Sequence, residues 1–427
     1  DAVYSAFAHA GQKCSASSLL VLVSSAGKSE RIARQLVDAT ASLRVKLPLS
    51  LDSQMGPVVV PDDEKAVRGL TTLGAGEHWV LKPRYLGDGL WTPGIRVGVV
   101  PGSEFHLTEY FAPVIGVMRV DTLQEAIEAV NAVDYGLTSG LQTLDAAELA
   151  VWLDSIQAGN IYVNRGITGA IVRRQPFGGW KRSAIGSTTK AGGPSYLLGL
   201  GDVEPADGQD AKEPIVQDTA ALDPRVASLC NAVSGQLGEA DLAGLRRALV
   251  ADASAWRSAY GANRDVTALA CERNVLRYRP TDVLVRAGAG TELADVVRVM
   301  AAGVRAGGFV SLSVANRLPQ PLQNALLAAG VQVAVEDQSA WDARLAELSV
   351  SGGLGTRVRI LGPREETSAA RWSQASRVTG GSPDIALYTG AVTACPHSEL
   401  LPFLREQAVA ITSHRFGTPL DLAEGLL

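Results

Sequence analysis

Short apolar runs and helical patterns alternate along most of the chain, and this alternation restricts the fold more than any other feature. In the first part, strands are predicted at 19–23, 95–100, 114–120 and 160–163, and helices at 29–43, 123–133 and 146–156, with a further helix after Pro61. In the second part, strands are predicted at 283–286, 309–314, 331–335, 358–361 and 385–388, and helices at 293–305 and 321–329. This order predicts an α/β layer architecture.

The chain is long enough for two or three domains. Residues 201–224 are acidic and rich in proline and glycine, a composition typical of a linker. We therefore predict one domain over 1–200, a linker over 201–224 and a second domain over 225–427. Within the second domain, we predict that Arg273, Arg277 and Arg279 form a solvated or interface edge.

Composition excludes several classes of function. The 39 basic and 44 acidic residues give a net charge of −5, which argues against nucleic acid as the main partner. No apolar run reaches the ~20 residues that a membrane span needs, and no charged-then-apolar pattern predicts a secretory leader. The four cysteines and five histidines are dispersed and show no metal-ligand spacing, so we expect no metal site. Cysteines that are far apart in the sequence also fit a reducing compartment, so we expect a cytoplasmic location.

Cys14 is the candidate nucleophile. Gly11 is a natural stop for the helical pattern before it, and the apolar run 19–23 begins soon after, so Cys14 is predicted on a tight loop between helix and strand. A rigid, accessible loop suits a reactive thiol. The alternative is that Cys14 is a small core residue, which is common for a lone cysteine.

The surrounding motifs resemble those of the aldehyde dehydrogenase superfamily. The resemblance covers the first 200 residues and consists of these segments in family order: Gly11-Gln12-Lys13-Cys14-Ser15, Met55-Gly56-Pro57-Val58, Glu109-Tyr110-Phe111-Ala112-Pro113-Val114, Tyr135-Gly136-Leu137-Thr138, Gly159-Asn160-Ile161-Tyr162-Val163-Asn164 and Pro176-Phe177-Gly178-Gly179. Ala112 departs from the glycine usual in the family. A single such motif is weak, but six in order are specific.

Further segments narrow the resemblance. Residues 164–170, with Gln175-Pro176-Phe177 after them, resemble the anchor loop of L-glutamate γ-semialdehyde (1-pyrroline-5-carboxylate) dehydrogenases, and 190–197 resemble a Lys-x-Gly-Gly-Pro segment of the same enzymes. Residues 404–407 and 414–417 resemble the closing motif of bifunctional proline utilization A proteins. The implied fold is an aldehyde dehydrogenase catalytic domain followed by a Rossmann-like α/β domain that is dehydrogenase-like and non-catalytic.

The resemblance implies NAD-dependent oxidation of L-glutamate γ-semialdehyde to L-glutamate in proline catabolism. Cys14 would be the nucleophile, passing through a thiohemiacetal and a thioester, and Asn164 would support the active site. Glu109 would bind the nicotinamide ribose, and Phe111 would pack near the nicotinamide.

Substrate recognition is expected at the anchor loop. The backbone N–H groups of Gly169 and Ala170 could bind the α-carboxylate, Ser15 could add a hydroxyl donor, and Phe177 would pack on the aliphatic stem. Two alternatives remain open: dehydrogenation of another carboxylated aldehyde such as succinate semialdehyde, and a non-catalytic capping or assembly role.

In the family, a dinucleotide-binding domain, a general-base glutamate and an oxyanion asparagine precede the nucleophile. We therefore expect the chain to be a fragment of a longer enzyme and to be inactive by itself. The resemblance also implies a homo-oligomeric parent. FAD would belong only to a proline dehydrogenase region of that parent and not to this chain.

Overall fold

The computed structural model describes residues 1–187, 189–201, 203, 222–350 and 355–427. These residues form two compact units. The first comprises Asp1–Gln175, Val266–Asn274 and Val409–Leu427, and the second comprises Pro176–Asp265 and Val275–Ala408. Most of the predicted linker, namely residues 202 and 204–221, lies outside the described residues.

The first unit follows an alternating order of helices and strands. Its elements are α1 (Ala2–Phe7), a 3₁₀ turn (Ala8–Gly11), β1 (Leu19–Val23), a 3₁₀ turn (Ser24–Lys28), α2 (Glu30–Ala41), α3 (Glu64–Thr71), β2 (His78–Leu81), β3 (Tyr85–Gly87), β4 (Leu90–Trp91), β5 (Gly94–Val99), α4 (Glu104–Leu107), β6 (Val114–Val120), α5 (Leu123–Asn131), β7 (Tyr135–Gly136), β8 (Thr138–Leu141), α6 (Ala146–Ser155) and β9 (Asn160–Val163). Polar caps start its longer helices: the side chain of Ser29 accepts the N–H of Ile32, and that of Asp145 accepts the N–H of Ala147.

A four-stranded sheet in the order β1-β6-β5-β2 forms the centre of this unit. Strand β6 pairs in parallel with both β1 and β5, whereas β2 is antiparallel to β5. Phe7, Met55, Ile95 and Ile115 are nearly inaccessible and belong to one hydrophobic cluster. This core anchors α1, so the segment that follows α1 starts from a fixed position.

The second unit is a second α/β arrangement. Its elements are β10 (Trp180–Lys181), a 3₁₀ turn (Tyr196–Leu200), α7 (Pro224–Val233), α8 (Glu239–Ala255), a π-helical turn (Trp256–Tyr260), β11 (Arg264–Asp265), β13 (Val283–Ala287), α9 (Leu293–Ala306), β14 (Val310–Val314), α10 (Gln320–Ala328), β15 (Gln332–Val335), α11 (Gln338–Val350), β16 (Thr356–Leu361), α12 (Ser368–Val378), β17 (Ile385–Tyr388), α13 (Pro396–Leu400) and a 3₁₀ turn (Leu401–Phe403). Strands β12 (Glu272–Pro280) and β18 (Leu404–Thr412) begin in one unit and end in the other, and β19 (His414–Arg415) and β20 (Thr418–Pro419) follow in the first unit.

Five parallel strands in the order β15-β14-β13-β16-β17 form the sheet of the second unit. The chain runs outward from β13 in one direction and returns to continue on its other side, which is the doubly wound arrangement of Rossmann-like folds. Val283 and Val285 belong to one apolar cluster and Leu284 to another, as expected for a strand buried on both faces.

The α/β fold class is confirmed. The predicted strands 19–23, 114–120, 160–163 and 385–388 have the predicted bounds, and the helix expected after Pro61 is α3. The compact units do not coincide with the division expected at residue 200, and the assignment of catalytic and non-catalytic domains stays a prediction.

One prediction is wrong in part. Arg277 does not lie on a solvated edge: it is buried on β12, and its Nε and Nη2 donate to Oε1 of Gln407 at 2.9 and 2.7 Å. The buried guanidinium is tolerated there in part because a neutral amide accepts two of its N–H groups. Among the described residues, no helix is both long and apolar enough to cross a membrane.

Candidate active site

Cys14 is exposed and lies in the turn between the 3₁₀ turn that ends at Gly11 and strand β1. The N–H of Ala16 donates to the carbonyl of Lys13 at 2.8 Å and closes this turn. Gly11 has a φ of +68°, and a Cβ there would collide with the carbonyl oxygen of Ala112. Only glycine fits at this close approach, and the loop that carries the thiol is therefore held against the start of β6.

The backbone N–H of Cys14 has no hydrogen-bond partner among the described residues. The thiol and this N–H are both available to a reacting carbonyl group. These are the two groups that a cysteine nucleophile needs for attack and for oxyanion binding.

The anchor loop, residues 164–175, is hydrogen-bonded to the nucleophile loop, residues 11–17. The N–H of Gly169 donates to Oγ of Ser15 at 3.3 Å, and the hydroxyl of Thr168 lies 3.2 Å from the carbonyl oxygen of Ser15. Ser15 is almost completely buried, so it supports the loop and is not an open hydroxyl donor. The two motifs that the sequence singled out thus form one connected structure.

Ser5 of α1 adds a second set of contacts. Its Oγ accepts the N–H of Ile167 at 3.0 Å, and its carbonyl accepts both the Thr168 hydroxyl at 3.0 Å and the N–H of Ser17 at 2.8 Å. Ile167 also packs where Gly140 has no side chain. These contacts give Ile167 and Thr168 a positioning role that sequence reasoning could not assign, because Ser5 and Gly140 are distant in the chain.

Tyr162 of β9 also contacts the anchor loop. Its hydroxyl donates to the carbonyl of Gly169 at 3.2 Å. Burial raises the pKa of Tyr162 to about 12, and the nearby Cys14 contributes a smaller effect in the same direction. Tyr162 therefore acts as a neutral hydrogen-bond donor that holds the carbonyl of Gly169 away from the open side of the loop.

Glu272 clamps both ends of the anchor loop. Arg165 at one end lies 2.7 Å from one carboxylate oxygen, and Arg174 at the other end lies 2.8 Å from the second oxygen. Burial alone would raise the pKa of Glu272, but its bonds to Asn274 and Arg165 and the charges of both arginines lower it overall. The clamp has no local sequence signal, because Glu272 lies about one hundred residues downstream of its partners.

The two backbone N–H groups predicted to bind the substrate carboxylate differ in their hydrogen bonding. Gly169 has a φ of +91°, and its N–H is held by Ser15, whereas Ala170 is exposed and its N–H has no partner among the described residues. Lys13 points towards this segment, with its Nζ 3.6 Å from where a Cβ of Gly169 would lie. Of these two N–H groups, that of Ala170 is therefore the open one, with a cation beside its neighbour Gly169.

Asn164 lies at the end of β9 with a φ of +54°. Its Nδ2 donates to the carbonyl of Thr143 at 2.8 Å, and its Oδ1 accepts the N–H of Thr143 at 3.0 Å. Both polar groups of the side chain are thus used by the backbone. Asn164 is a positioning residue, because it fixes the point at which β9 turns into the anchor loop.

Glu109 and Phe111 line a small cavity of about 20 Å³ together with Gly11 and Lys13. Gln12 joins the two segments, donating to the carbonyl of Phe111 at 3.0 Å and accepting the N–H of Val59 at 2.7 Å. Phe111 has a φ of +53°, an unusual conformation for a bulky residue. Neighbouring protein atoms shield Glu109 from part of the solvent, which raises its pKa, and the charge of Lys65 opposes this rise.

Phe177 belongs to the second unit, where it is half-buried and exchanges two backbone hydrogen bonds of 2.9 Å with Ala191. Its predicted contact with the substrate stays a prediction.

Within the described ranges, no group of three or more His, Cys, Asp or Glu side chains is arranged to hold a metal ion.

The chain is similar to several known proteins. The model of the aldehyde dehydrogenase family matches residues 1–199. A 1-pyrroline-5-carboxylate dehydrogenase of Bacillus subtilis is 35% identical over 199 residues, which are 46% of this chain and 38% of the relative. The bifunctional protein PutA of Rhizobium meliloti is 30% identical over 375 residues, which are 84% of this chain and 28% of the relative.

Among solved structures, proline utilization A from Corynebacterium freiburgense superposes with a TM-score of 0.75 at 37% identity, covering 98% of this chain and 37% of that one. The chain thus spans between about a quarter and two fifths of the length of these relatives. The motif order, the nucleophile turn and the family match lead to one conclusion: residues 1–199 of this chain are similar to the aldehyde dehydrogenase family, whose model matches them.

Proposed function

We propose that residues 1–199 carry the nucleophile and the substrate anchor of an enzyme that oxidises L-glutamate γ-semialdehyde to L-glutamate with NAD, a step of proline catabolism, in the cytoplasm. The hydrogen bonds between the nucleophile loop and the anchor loop are the observation that carries this proposal. They link an exposed thiol to a backbone N–H that can bind a carboxylate, as a substrate with an aldehyde at one end and a carboxylate at the other requires.

Cys14 performs the covalent step. Its thiolate attacks the aldehyde carbon and forms a thiohemiacetal, whose oxyanion receives the free N–H of Cys14. Loss of hydride from that carbon leaves a thioester, and water then hydrolyses the thioester to the carboxylic acid with the help of a general base, releasing the thiol. When bound, NAD supplies the hydride acceptor for this oxidation.

The residues expected to hold NAD fit that role. Glu109 is exposed and can accept hydrogen bonds from both ribose hydroxyls, and Phe111 offers a partly exposed aromatic face on the same cavity. Gln12 of the nucleophile loop is hydrogen-bonded to this segment, and this contact fixes the position of the cofactor-binding residues relative to the nucleophile.

The anchor loop selects the substrate. Ala170 offers its free N–H to the α-carboxylate, while Thr168, Ser15 and Tyr162 hold the adjacent Gly169 in its left-handed conformation. The names of two relatives support this substrate over succinate semialdehyde. The Bacillus subtilis relative is named a 1-pyrroline-5-carboxylate dehydrogenase, and the Rhizobium meliloti relative is named PutA.

For the second unit we propose a dehydrogenase-like, non-catalytic role. The turn between β13 and α9 contains Gly288 and Gly290, at the place where a dinucleotide fold binds pyrophosphate. However, Glu292 brings negative charge to the start of α9, and Pro363 packs against Gly290. Negative charge at a helix N-terminus disfavours phosphate there.

We also propose that the protein assembles as a homo-oligomer.

The test is NADH formation by the protein that carries residues 1–427, with glutamate γ-semialdehyde or succinate semialdehyde as substrate. We expect a higher kcat/KM on the first substrate and a loss of more than about 10³-fold in Cys14→Ala. Cys271→Ala is the matched control, because Cys271 is also exposed. Equal loss in both variants, or a preference for succinate semialdehyde, would contradict the proposal.

A further inference from the structure

The second unit contains a pocket of about 600 Å³, a volume typical of small-molecule sites. Its floor is the face of β16 and β17 that carries Arg357, Arg359 and Tyr388, and its rim includes Trp372 of α12. This pocket lies entirely within the second unit and has no part in the chemistry proposed for Cys14.

The carboxylates that line the pocket are already engaged. Glu399 pairs with Arg359 at 3.3 Å, and both side chains are almost inaccessible. Asp384 pairs with Arg182 at 3.2 Å, and Glu406 accepts the backbone N–H of Lys190 at 2.8 Å. These acids therefore form no ion pair with the two other arginines of the lining.

Arg357 and Arg405 are the two arginines of the lining that lie outside these pairs. Nη1 of Arg357 donates to the backbone carbonyls of Leu401, Pro402 and Leu404, and Nη2 of Arg405 donates to that of Gly355. In the part of the chain that the structure describes, neither guanidinium has a carboxylate within ion-pair distance, and their other N–H groups have no acceptor. Each of the two guanidinium groups thus keeps N–H groups that can donate to an oxyanion.

The electrostatics agree with this geometry. Burial lowers the pKa of Arg405 to about 10, and the charge of Arg357 adds to that lowering, while Asp282 has a smaller opposite effect. Two neighbouring guanidinium groups in a partly dehydrated wall repel each other, and an anion between them relieves that repulsion. The Oγ of Ser398, a further lining residue, is buried without a hydrogen-bond partner in the described structure.

The aromatic groups indicate what else the ligand carries. Trp372 is 51% exposed at the rim, and the guanidinium of Arg405 lies 5.9 Å from the ring centre of Trp180. The pocket is much larger than an inorganic ion needs. We propose that it binds a small organic oxyanion, with a phosphate or carboxylate group on Arg357 and Arg405 and its organic part against Trp372.

Titration calorimetry of the protein with inorganic phosphate, ribose 5-phosphate and glutarate, at matched ionic strength in sodium chloride, tests this proposal. We expect an organic probe to bind more tightly than inorganic phosphate, with a Kd below about 1 mM. A preference for ribose 5-phosphate indicates a phosphate ester, and a preference for glutarate indicates a carboxylate. No binding above the sodium chloride control by any probe overturns the proposal.

Two variants locate the binding. Arg405→Gln should weaken it at least tenfold, and Trp372→Glu should do the same by placing a carboxylate at the rim without removing a buried group. Arg364→Gln is the control, since Arg364 is an exposed arginine of the same unit, paired with Asp295. Binding that keeps its wild-type Kd in Trp372→Glu lies elsewhere and overturns the proposal, even if Arg405→Gln does not fold.

Discussion

The link between the two loops of the candidate site in the first unit and the core of the second unit use polar groups in different ways. In the first unit, hydroxyl and backbone groups of Ser5, Ser15 and Thr168 connect two loops next to an exposed thiol. In the second unit, charged pairs such as Arg298–Asp252 and Arg359–Glu399 are buried among apolar residues. Neutral contacts position a reactive loop at small desolvation cost, whereas buried ion pairs join elements at a larger cost. We therefore expect substitutions in the first network to change activity and substitutions in the second to change stability.

The largest effect is expected from Arg298→Met. Nη1 and Nη2 of Arg298 lie 2.6 and 2.9 Å from the carboxylate oxygens of Asp252, so removing the guanidinium leaves a buried carboxylate without a counter-charge. We expect the free energy of unfolding at pH 7 to fall by about 3–5 kcal/mol, measured by urea denaturation. The control Arg364→Met removes an exposed pair and should cost less than about 1 kcal/mol. Equal losses would remove the contrast between buried and surface pairs.

The pH dependence of stability gives the next effect. Burial raises the pKa of Asp252 to about 6, despite the opposing charge and hydrogen bonds of Arg298. Since the folded state holds this proton more tightly than the unfolded state, the stabilisation is complete below the ordinary carboxyl pKa of about 4 and is lost as the pH rises through 6. We expect a loss of about 2–3 kcal/mol between pH 4 and pH 7 that Asp252→Asn lacks. An identical pH profile in that variant would contradict the assignment of this pH dependence to Asp252.

Glu272→Gln is expected to act mainly on substrate binding. It weakens the clamp on both ends of the anchor loop, and we expect KM for glutamate γ-semialdehyde to rise about tenfold with a smaller change in kcat. The pKa of Glu272 is lowered, so its stabilisation is present above the ordinary carboxyl pKa and is lost as the pH falls through the folded value. Glu128→Gln, an exposed control on α5, should leave KM unchanged.

Thr168→Val is expected to have the smallest effect. It removes one hydroxyl that bridges Ser5 and Ser15, worth about 1 kcal/mol, or a rise of about fivefold in KM. Thr168→Ser keeps the hydroxyl and should restore the KM. A valine variant with unchanged KM would show that the remaining contacts of Ser5, Ser15 and Tyr162 hold the anchor loop without it.

Local patterns predicted the parts of the molecule that depend on neighbouring residues. Strands β1, β6, β9 and β17 have the predicted bounds because β-branched and apolar runs end at turn residues. The turn that carries Cys14 followed from the stop at Gly11 and the apolar run of β1. The motifs that resemble the family identified both loops of the candidate site.

Contacts between distant residues could not be predicted in this way. Glu272 reaches Arg165 and Arg174 from about one hundred residues away, and Ser5 reaches Thr168 across the chain. Arg277 was expected on a solvated or interface edge because basic clusters usually lie there, but its acceptor Gln407 lies on another strand, 130 positions along the chain. A single sequence holds no signal for such partners, since each depends on how the sheets assemble.

The most direct test of the account is the labelling of Cys14 by iodoacetamide, followed by peptide mapping, with and without L-glutamate. Glutamate carries the α-carboxylate that the anchor loop is proposed to bind, so we predict that it slows labelling of Cys14 and leaves that of the exposed Cys271 unchanged. Succinate should protect less. If glutamate leaves Cys14 labelling unchanged, or protects both cysteines equally, the nucleophile loop and the anchor loop do not form one site.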